Sequence, residues 1–208
     1  MRGDPIVKFL TVDEAAGALA AGEAVVMPTD TVYGVGVAVD AVDDPGVLFR
    51  LKGRPAGKAV AWLVEGPAAL DRYGAGVHPW VHRLARRFWP GGLTLVVRAS
   101  EAVPPAFRSP EGTIGLRMPA SPEVLALIRA VGCPLAVTSA NLSGAPAAAV
   151  PELLDGDLVS RTAGVLEGPC GASGGGLAST VIDCTAVKPS VLRCGPVSSR
   201  DIEECSHD

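Results

Sequence analysis

The segment Thr29-Asp30-Thr31-Val32-Tyr33 places two hydroxyls, a carboxylate and a phenol directly after the apolar run at residues 24–27. This composition is too polar for a sheet interior, yet it begins where a buried strand should end, because Pro28 cannot donate to a strand ladder. In α/β proteins, ligands bind at the carboxyl ends of strands, and hydroxyls suit a polar ligand because they both donate and accept. The segment is therefore either one wall of a binding site or a polar turn between two strands.

A second informative stretch is Lys52-Gly53-Arg54-Pro55-Ala56-Gly57-Lys58, which carries three cations in seven residues. Its glycines would let the backbone approach a ligand closely. An arginine can hold a phosphate or carboxylate in a bidentate fork, and a lysine acts on the same groups as a point charge. The pattern favours anion binding over the other interpretation, a solvated connector.

Further strand ends also carry polar groups. In the predicted strand that begins at Thr113, the period of two places Thr113, Gly115 and Arg117 on one face. Arg117 therefore either points into a ligand cleft or reaches water from an edge strand. Hydroxyl and amide groups follow another apolar run at residues 138–144, and Arg193 lies near the end of the last predicted strand.

These observations predict one basic cleft in an otherwise acidic protein, and the cations expected to converge on it are Lys52, Arg54, Arg117 and Arg193. Such a cleft suits a polyanionic ligand. The Gly-rich segment at residues 167–176 lacks the Gly-Lys-Ser/Thr ending of a P-loop. None of the three histidines lies beside a nucleophile, so catalysis would rest on positioning and electrostatic stabilisation.

The elements that must position these groups follow from caps and periodicity. Thr11 and Glu14 have the spacing of a capping box and predict a helix over about residues 12–21. Ser121-Pro122 and Gly132 delimit another helix. Further helices are predicted at residues 45–52 and 79–88, a helical turn at 151–158, and a short helix followed by disorder beyond residue 197. Strands are predicted at residues 23–27, 32–39, 59–64, 93–97, 113–119, 134–137, 179–183 and 191–195.

Length and composition set limits on these interpretations. A chain of 208 residues with 48% hydrophobic and 19% charged residues is globular and can bury a sizeable core. A formal charge of −4 argues against a protein whose whole surface binds nucleic acid. No apolar run reaches the roughly 20 residues of a membrane helix, and no signal core follows the N-terminus, which predicts a cytoplasmic protein. The five cysteines have no Cys-x-x-Cys spacing, so neither a disulfide framework nor a zinc site is expected.

Taken together, seven sequence blocks resemble the ordered signature of the YrdC/Sua5 family, the threonylcarbamoyl-AMP synthases. The blocks are Pro28-Thr29-Asp30-Thr31-Val32-Tyr33-Gly34, Lys52-Gly53-Arg54-Pro55, Trp89-Pro90-Gly91-Gly92-Leu93-Thr94, Arg117-Met118-Pro119, Ser139-Ala140-Asn141-Leu142-Ser143-Gly144, Ser179-Thr180-Val181-Ile182-Asp183 and Arg193-Cys194-Gly195. They span nearly the whole chain, which makes their order far more specific than any single motif.

The resemblance implies an α/β fold with a large twisted mixed β-sheet, flanking helices and a basic concave cleft. It implies a single YrdC-like domain with a core over about residues 8–200 and a flexible tail at 201–208. The implied reaction joins L-threonine, bicarbonate and ATP into threonylcarbamoyl-AMP and pyrophosphate, on the way to the t6A modification of tRNA. Mg²⁺ would accompany ATP, held mainly by phosphates and water. A tRNA or a t6A transferase complex would be a further partner, and its identity stays open.

The resemblance also assigns roles to individual residues. Lys52 and Arg54 would be catalytic, and the threonine substrate would contact Thr31, Arg117 and Ser179. ATP would contact Arg54, Lys58, Thr113, Ser139, Asn141 and Arg193. No side chain is expected to bind a metal.

Departures from the family pattern leave alternatives open. Leu63 and Ser121 stand where similar proteins usually carry histidine, and Lys58 replaces a residue that is commonly neutral. One alternative is a carbamoyl-adenylate-forming enzyme of the same fold. The other is a non-enzymatic module that binds double-stranded RNA by shape and backbone, which net charge −4 and 4% aromatic residues disfavour.

Overall fold

The computed structural model describes residues 7–53, 60–171 and 176–207 of the chain. Helix α1 (Val12–Ala20) begins at the predicted capping box: the Thr11 hydroxyl accepts a hydrogen bond from the Glu14 N–H, and the Glu14 carboxylate accepts one from the Thr11 N–H at 2.9 Å. Helix α5 (Pro122–Val131) begins at Ser121, whose hydroxyl accepts from the Val124 N–H. Both predicted helix starts are thus confirmed, because the side chains satisfy orphan backbone donors.

The remaining helices in the described ranges are α2 (Gly46–Lys52), α3 (Ala69–Tyr73), α4 (Pro79–Phe88), α6 (Gly156–Val159) and α7 (Ser199–His207), with 3₁₀ turns at Pro105–Phe107 and Pro151–Leu153. Sequence reasoning had no signal for the single turn of α3. Helix α7 runs past residue 200, where the sequence placed the end of the core. It does so because Ile202 is buried and Arg83 of α4 donates to the carbonyls of Cys205 and Ser206.

The strands are β1 (Phe9–Leu10), β2 (Val25–Met27), β3 (Gly34–Ala38), β4 (Ala61–Leu63), β5 (Leu93–Arg98), β6 (Thr113–Arg117), β7 (Leu135–Ser139), β8 (Val165–Leu166), β9 (Thr180–Asp183) and β10 (Ser190–Arg193). They form one mixed sheet in the order β1-β8-β2-β3-β7-β4-β6-β5-β9-β10. The predicted large twisted mixed sheet flanked by helices is confirmed. As predicted from Pro28, strand β2 ends at Met27.

Small residues lie at central positions of the sheet, and several of them line a cavity. In register across four strands lie Gly36, Val137, Ala61 and Gly115. The next row carries Leu63, Arg117 and Thr94. A side-chain face of glycine and alanine leaves room above the backbone. The predicted sharing of one face by Thr113, Gly115 and Arg117 is confirmed, since all three line the same cleft.

Gly36 is expected to tolerate no side chain, because a Cβ there would lie 2.6 Å from the Val137 Cγ2 atom and 3.0 Å from the Ala136 carbonyl oxygen. We predict that Gly36→Ala lowers the free energy of unfolding by roughly 1–3 kcal/mol through overpacking, measured by urea denaturation. Gly17 in the exposed part of α1 is the matched control. A Cβ added there would meet no atom within 4 Å other than its own helix backbone and its chain neighbours. Gly17→Ala should raise stability by about 0.5–1 kcal/mol, and equal effects of the two substitutions would contradict this packing.

The five cysteines are unpaired thiols in the structure, and Cys133 and Cys184 are buried. Burial raises the pKa of the Cys184 thiol far above its ordinary value. The unfolded chain therefore loses this proton first, so the contribution of Cys184 to stability is fully present below about pH 8.5 and is lost as pH rises further.

We predict that the free energy of unfolding falls from about pH 8.5 to about pH 10, with up to about 1.4 kcal/mol per pH unit from this thiol. Urea denaturation across this range measures the slope. Cys184→Ala should make the slope less steep, whereas Cys194→Ala, which removes an exposed thiol, should not. Part of the slope should remain in both variants, because burial also raises the pKa of the Cys133 and Cys170 thiols. The same slope in both variants would refute the assignment.

Candidate functional site

A cavity of about 290 Å³ lies on one face of the sheet. Side chains from β4, β5, β6, β7 and β9 line it, together with Arg193 of β10 and the segment that follows β2. Its polar lining residues are Thr29, Thr31, Tyr33, Thr94, Thr113, Arg117, Thr138, Ser139, Ser179 and Arg193. These groups suit a ligand with several hydrogen-bonding groups and negative charge.

The turn after β2 is fixed by its own side chains. The Thr29 hydroxyl donates to the Val32 carbonyl at 2.7 Å and accepts from the Thr31 N–H at 3.2 Å. The hydroxyls of Thr29 and Thr31 also lie 3.0 Å apart and are both buried. This local network holds the Thr31 hydroxyl against the cavity.

Arg117, at the carboxyl end of β6, is the most highly connected cation of the cavity. Its Nε donates to the Gly91 carbonyl at 3.0 Å and its Nη1 to the Thr31 hydroxyl at 3.0 Å. Its Nη2 forms an ion pair with Asp30 Oδ1 at 2.6 Å. Burial lowers the pKa of the Arg117 guanidinium, and the neighbouring Asp30 carboxylate opposes that effect.

Asp30 is itself buried, with 2% of its surface exposed. Its Oδ1 also accepts the Ala120 N–H at 3.0 Å, next to the start of α5. Its Oδ2 is buried and has no hydrogen-bond partner among the residues described. A buried unsatisfied carboxylate oxygen is costly, and such groups concentrate at functional sites.

A second network lies beside Arg117, on the neighbouring strands. The hydroxyls of Thr94 and Ser179 lie 2.8 Å apart. Arg193 donates from Nη2 to the Ser179 hydroxyl at 3.0 Å and from Nε to the Ser179 carbonyl at 2.9 Å. Burial lowers the pKa of Arg193. The result is a pair of guanidinium groups on one wall of the cavity, with hydroxyls between them.

Lys52 lies against Ser139 and Asn141, where β7 passes into the following loop. Its side chain is 4% exposed, and its ammonium donates to the carbonyls of Ser139 and Asn141 and, at 3.2 Å, to Asn141 Oδ1. Asn141 in turn donates to the carbonyls of Leu142 and Ala145. Lys52 therefore fixes the start of the loop after β7, next to Ser139, which lines the cavity.

The tyrosine of the first motif also faces the cavity. Burial raises the pKa of the Tyr33 phenol above its ordinary value, so the hydroxyl stays protonated at neutral pH and can donate a hydrogen bond. The Tyr33 backbone is fixed on both sides, because its N–H donates to the Ala148 carbonyl and its carbonyl accepts from the Ala140 N–H, each at 2.8 Å.

The structure brings six of the ten predicted site residues together in one cavity: Thr31, Thr113, Arg117, Ser139, Ser179 and Arg193. Lys52 lies next to Ser139 and Asn141, with its ammonium 3.4 Å from the Ser139 hydroxyl and 3.2 Å from Asn141 Oδ1. Arg54 and Lys58 lie outside the described residues, so a cleft with four converging cations stays a prediction. Leu63 lines the cavity beside Arg117, whereas Ser121 is occupied as the helix cap of α5.

Asp30 and Thr94 are functional candidates that sequence reasoning did not single out. Asp30 lay within the first polar segment, but its partner Arg117 is 87 residues away. Thr94 and Val96 lie two positions apart on β5 and both line the cavity. The only sequence signal for Thr94 was a hydroxyl in an otherwise apolar strand.

Comparison with known proteins decides the family. A family model for Sua5, YciO and YrdC proteins, described as telomere recombination, matches residues 17–195. The chain belongs to the Sua5/YciO/YrdC family. The predicted resemblance is thereby confirmed, and the residues that line the cavity lie within the matched segment.

Three relatives place the chain within this family. A Mycobacterium tuberculosis protein, provisionally named a threonylcarbamoyl-AMP synthase, is 39% identical over 97% of this chain and 91% of its own length. The threonylcarbamoyl-AMP synthase of Bacillus subtilis is 36% identical over 92% of this chain and 55% of its own length. The crystal structure of P. abyssi Sua5 complexed with L-threonine superposes with a TM-score of 0.86 and 32% identity, over 95% of this chain and 60% of that one.

None of the helices within residues 7–53, 60–171 and 176–207 is long and apolar enough to cross a membrane.

Proposed function

We propose that this Sua5/YciO/YrdC protein is a threonylcarbamoyl-AMP synthase. The observation that carries the proposal is a cavity lined by two guanidinium groups and a cluster of hydroxyls, in a chain that superposes on a Sua5 structure holding L-threonine. The relatives' shared name supports this reaction over a carbamoyl-adenylate synthesis and over a non-enzymatic RNA-binding module.

The proposed reaction has two steps. The amine of L-threonine adds to bicarbonate, which gives a carbamate and releases water. A carbamate oxygen then attacks the α-phosphorus of ATP, the bond to the β-phosphate bridging oxygen breaks, and pyrophosphate leaves. The product is a mixed carbamate–phosphate anhydride, an intermediate for the t6A modification of tRNA.

The residues of the cavity fit the threonine part of this reaction. Arg117 has five N–H groups, and three of them are used by Gly91, Thr31 and Asp30. The two that remain suit a carboxylate acceptor. The hydroxyls of Thr31 and Ser179 would orient the amino acid beside it.

The nucleotide would occupy the remaining polar wall. Thr113 and Ser139 would contact it, and Asn141 would act from the same loop. Arg193 would stabilise negative charge that develops on the leaving pyrophosphate. The basic loop, with Arg54 and Lys58, would complete the phosphate contacts, and bicarbonate would enter between the threonine amine and the α-phosphate.

Mg²⁺ fits this site only as a companion of ATP. No group of three or more His, Cys, Asp or Glu side chains that could hold a metal occurs in the described part of the chain, and no carboxylate is among the described residues that line the cavity. Phosphate oxygens and water would therefore supply the ligands, as is usual for Mg²⁺. When bound, the ion would neutralise phosphate charge.

Product identification tests the proposal. With isotopically labelled bicarbonate, label should enter an adenylate only when ATP and L-threonine are both present, as detected by mass spectrometry. In a second experiment, labelled carbamoyl phosphate replaces bicarbonate. A labelled adenylate that forms there without threonine would support the carbamoyl-adenylate reaction instead. If no adenylate forms under either condition, the synthase proposal fails.

A further inference from the structure

We infer that Asp30 is a positioning residue for threonine binding, because its carboxylate orients the Arg117 guanidinium whose remaining N–H groups receive the substrate. The inference rests on the proposed function, since it assigns a role within that site. Asp30 does not line the cavity, so it acts through Arg117.

The geometry of the pair supports this role. Nη2 of Arg117 and Oδ1 of Asp30 lie 2.6 Å apart, and their side chains are 8% and 0% exposed. The same carboxylate oxygen accepts the Ala120 N–H. Asp30 thus joins the segment after β2 to the segment between β6 and α5, and Arg117 stands between the two.

The three acceptors around Arg117 are not equivalent. The Gly91 carbonyl and the Thr31 hydroxyl are neutral, whereas Asp30 is a carboxylate. Hydrogen bonds between ionised groups are about twice as strong as neutral ones. Asp30 therefore contributes most to the orientation of the guanidinium plane, and this plane determines where the two remaining N–H groups point.

The cost of the pair also indicates a role beyond stability. Burying two charges removes them from water, so a buried ion pair stabilises a fold little compared with an apolar pair of the same size. Here the second carboxylate oxygen is buried without a partner among the described residues, which adds to the cost. A fixed guanidinium at the substrate site is the benefit that explains this arrangement.

The test is Asp30→Asn, which keeps the shape of the side chain and removes its charge. We expect the KM and the Kd for L-threonine to rise roughly ten- to a hundredfold, as for a misplaced substrate-binding group, with the KM for ATP unchanged. Glu65→Gln is the matched control. It also breaks an Arg–carboxylate pair, at 2.9 Å to Arg129, but at an exposed position away from the cavity, and it should change neither constant.

A double-mutant cycle separates positioning from a general structural role. In an Arg117→Met background, Asp30→Asn should lower kcat/KM for threonine no further, because the group it positions is gone. Additive losses, or an unchanged threonine KM in Asp30→Asn, would overturn the inference. If Asp30→Asn does not fold, Asp30→Glu replaces it, since this variant keeps the charge and displaces the carboxylate. An unchanged KM for L-threonine in Asp30→Glu would also overturn the inference.

The wild-type protein is assayed first, so the two proposals fail separately. Absence of threonine-dependent adenylate in the wild type overturns the proposed function. If the wild-type protein is active and Asp30→Asn has an unchanged KM for L-threonine, only the role of Asp30 is overturned.

Discussion

Replacing Arg117 with methionine is expected to reduce kcat/KM for L-threonine roughly a hundredfold or more, the usual effect of removing one partner of a buried charged contact. The guanidinium lies at the end of β6, inside the cavity and within hydrogen-bond distance of the Thr31 hydroxyl. Methionine fills similar volume but offers no donor to a carboxylate. Steady-state pyrophosphate release with varied threonine measures the effect.

The same substitution is expected to destabilise the fold by about 3–5 kcal/mol, since it leaves the Asp30 carboxylate buried and uncompensated. Thermal or urea unfolding measures this loss and defines conditions under which the variant remains folded for kinetics. Arg129→Met is the matched control, because Arg129 pairs with Glu65 where both side chains are more than half exposed. Exposed pairs contribute at most about 1 kcal/mol, so equal losses in both variants would contradict a special role for Arg117.

Replacing Lys52 with methionine is expected to raise the KM for ATP about tenfold or more. The Lys52 ammonium satisfies the carbonyls of Ser139 and Asn141. A buried polar group left without a partner costs about 1–3 kcal/mol, so the loop after β7 would lose its anchor. Because that loop begins next to Ser139, which lines the cavity, the nucleotide part of the site should weaken more than the threonine part.

Hydrogen exchange provides the independent readout for Lys52. Amides at residues 140–145 should exchange faster in Lys52→Met, because local opening of the loop becomes easier. Lys188→Met, at an exposed lysine, should leave both exchange and the KM for ATP unchanged. If Lys52→Met lowers kcat alone and leaves exchange at residues 140–145 unchanged, Lys52 acts directly on the reacting groups, as the sequence analysis assumed.

Local signals in the sequence were sufficient for most elements of the fold, but not for the short elements α3, β1 and β8. The Thr11–Glu14 capping box and the Ser121 cap depend on residues three positions apart, and both form as predicted. The alternation of Thr113, Gly115 and Arg117 depends only on the period of a strand. It placed the three residues on one face and left two interpretations of Arg117 open, of which the structure shows the one that lines the cavity.

Long-range packing supplied what the sequence could not. The pairing of Asp30 with Arg117 and that of Thr94 with Ser179 each join residues more than 80 positions apart, and no local pattern encodes such contacts. Lys52 was predicted to act on the ligand because its charge was visible. The Lys52 ammonium reaches Ser139 and Asn141 because α2, which ends at Lys52, contacts β3, and β3 pairs with β7 in the sheet.

The most direct test of the central claim is pyrophosphate release from ATP by the wild-type protein, measured with and without L-threonine and with and without bicarbonate. A threonylcarbamoyl-AMP synthase should release pyrophosphate only when threonine and bicarbonate are both present, and L-serine should replace threonine poorly. Release that is independent of threonine, or no release under any of the four conditions, would contradict the account.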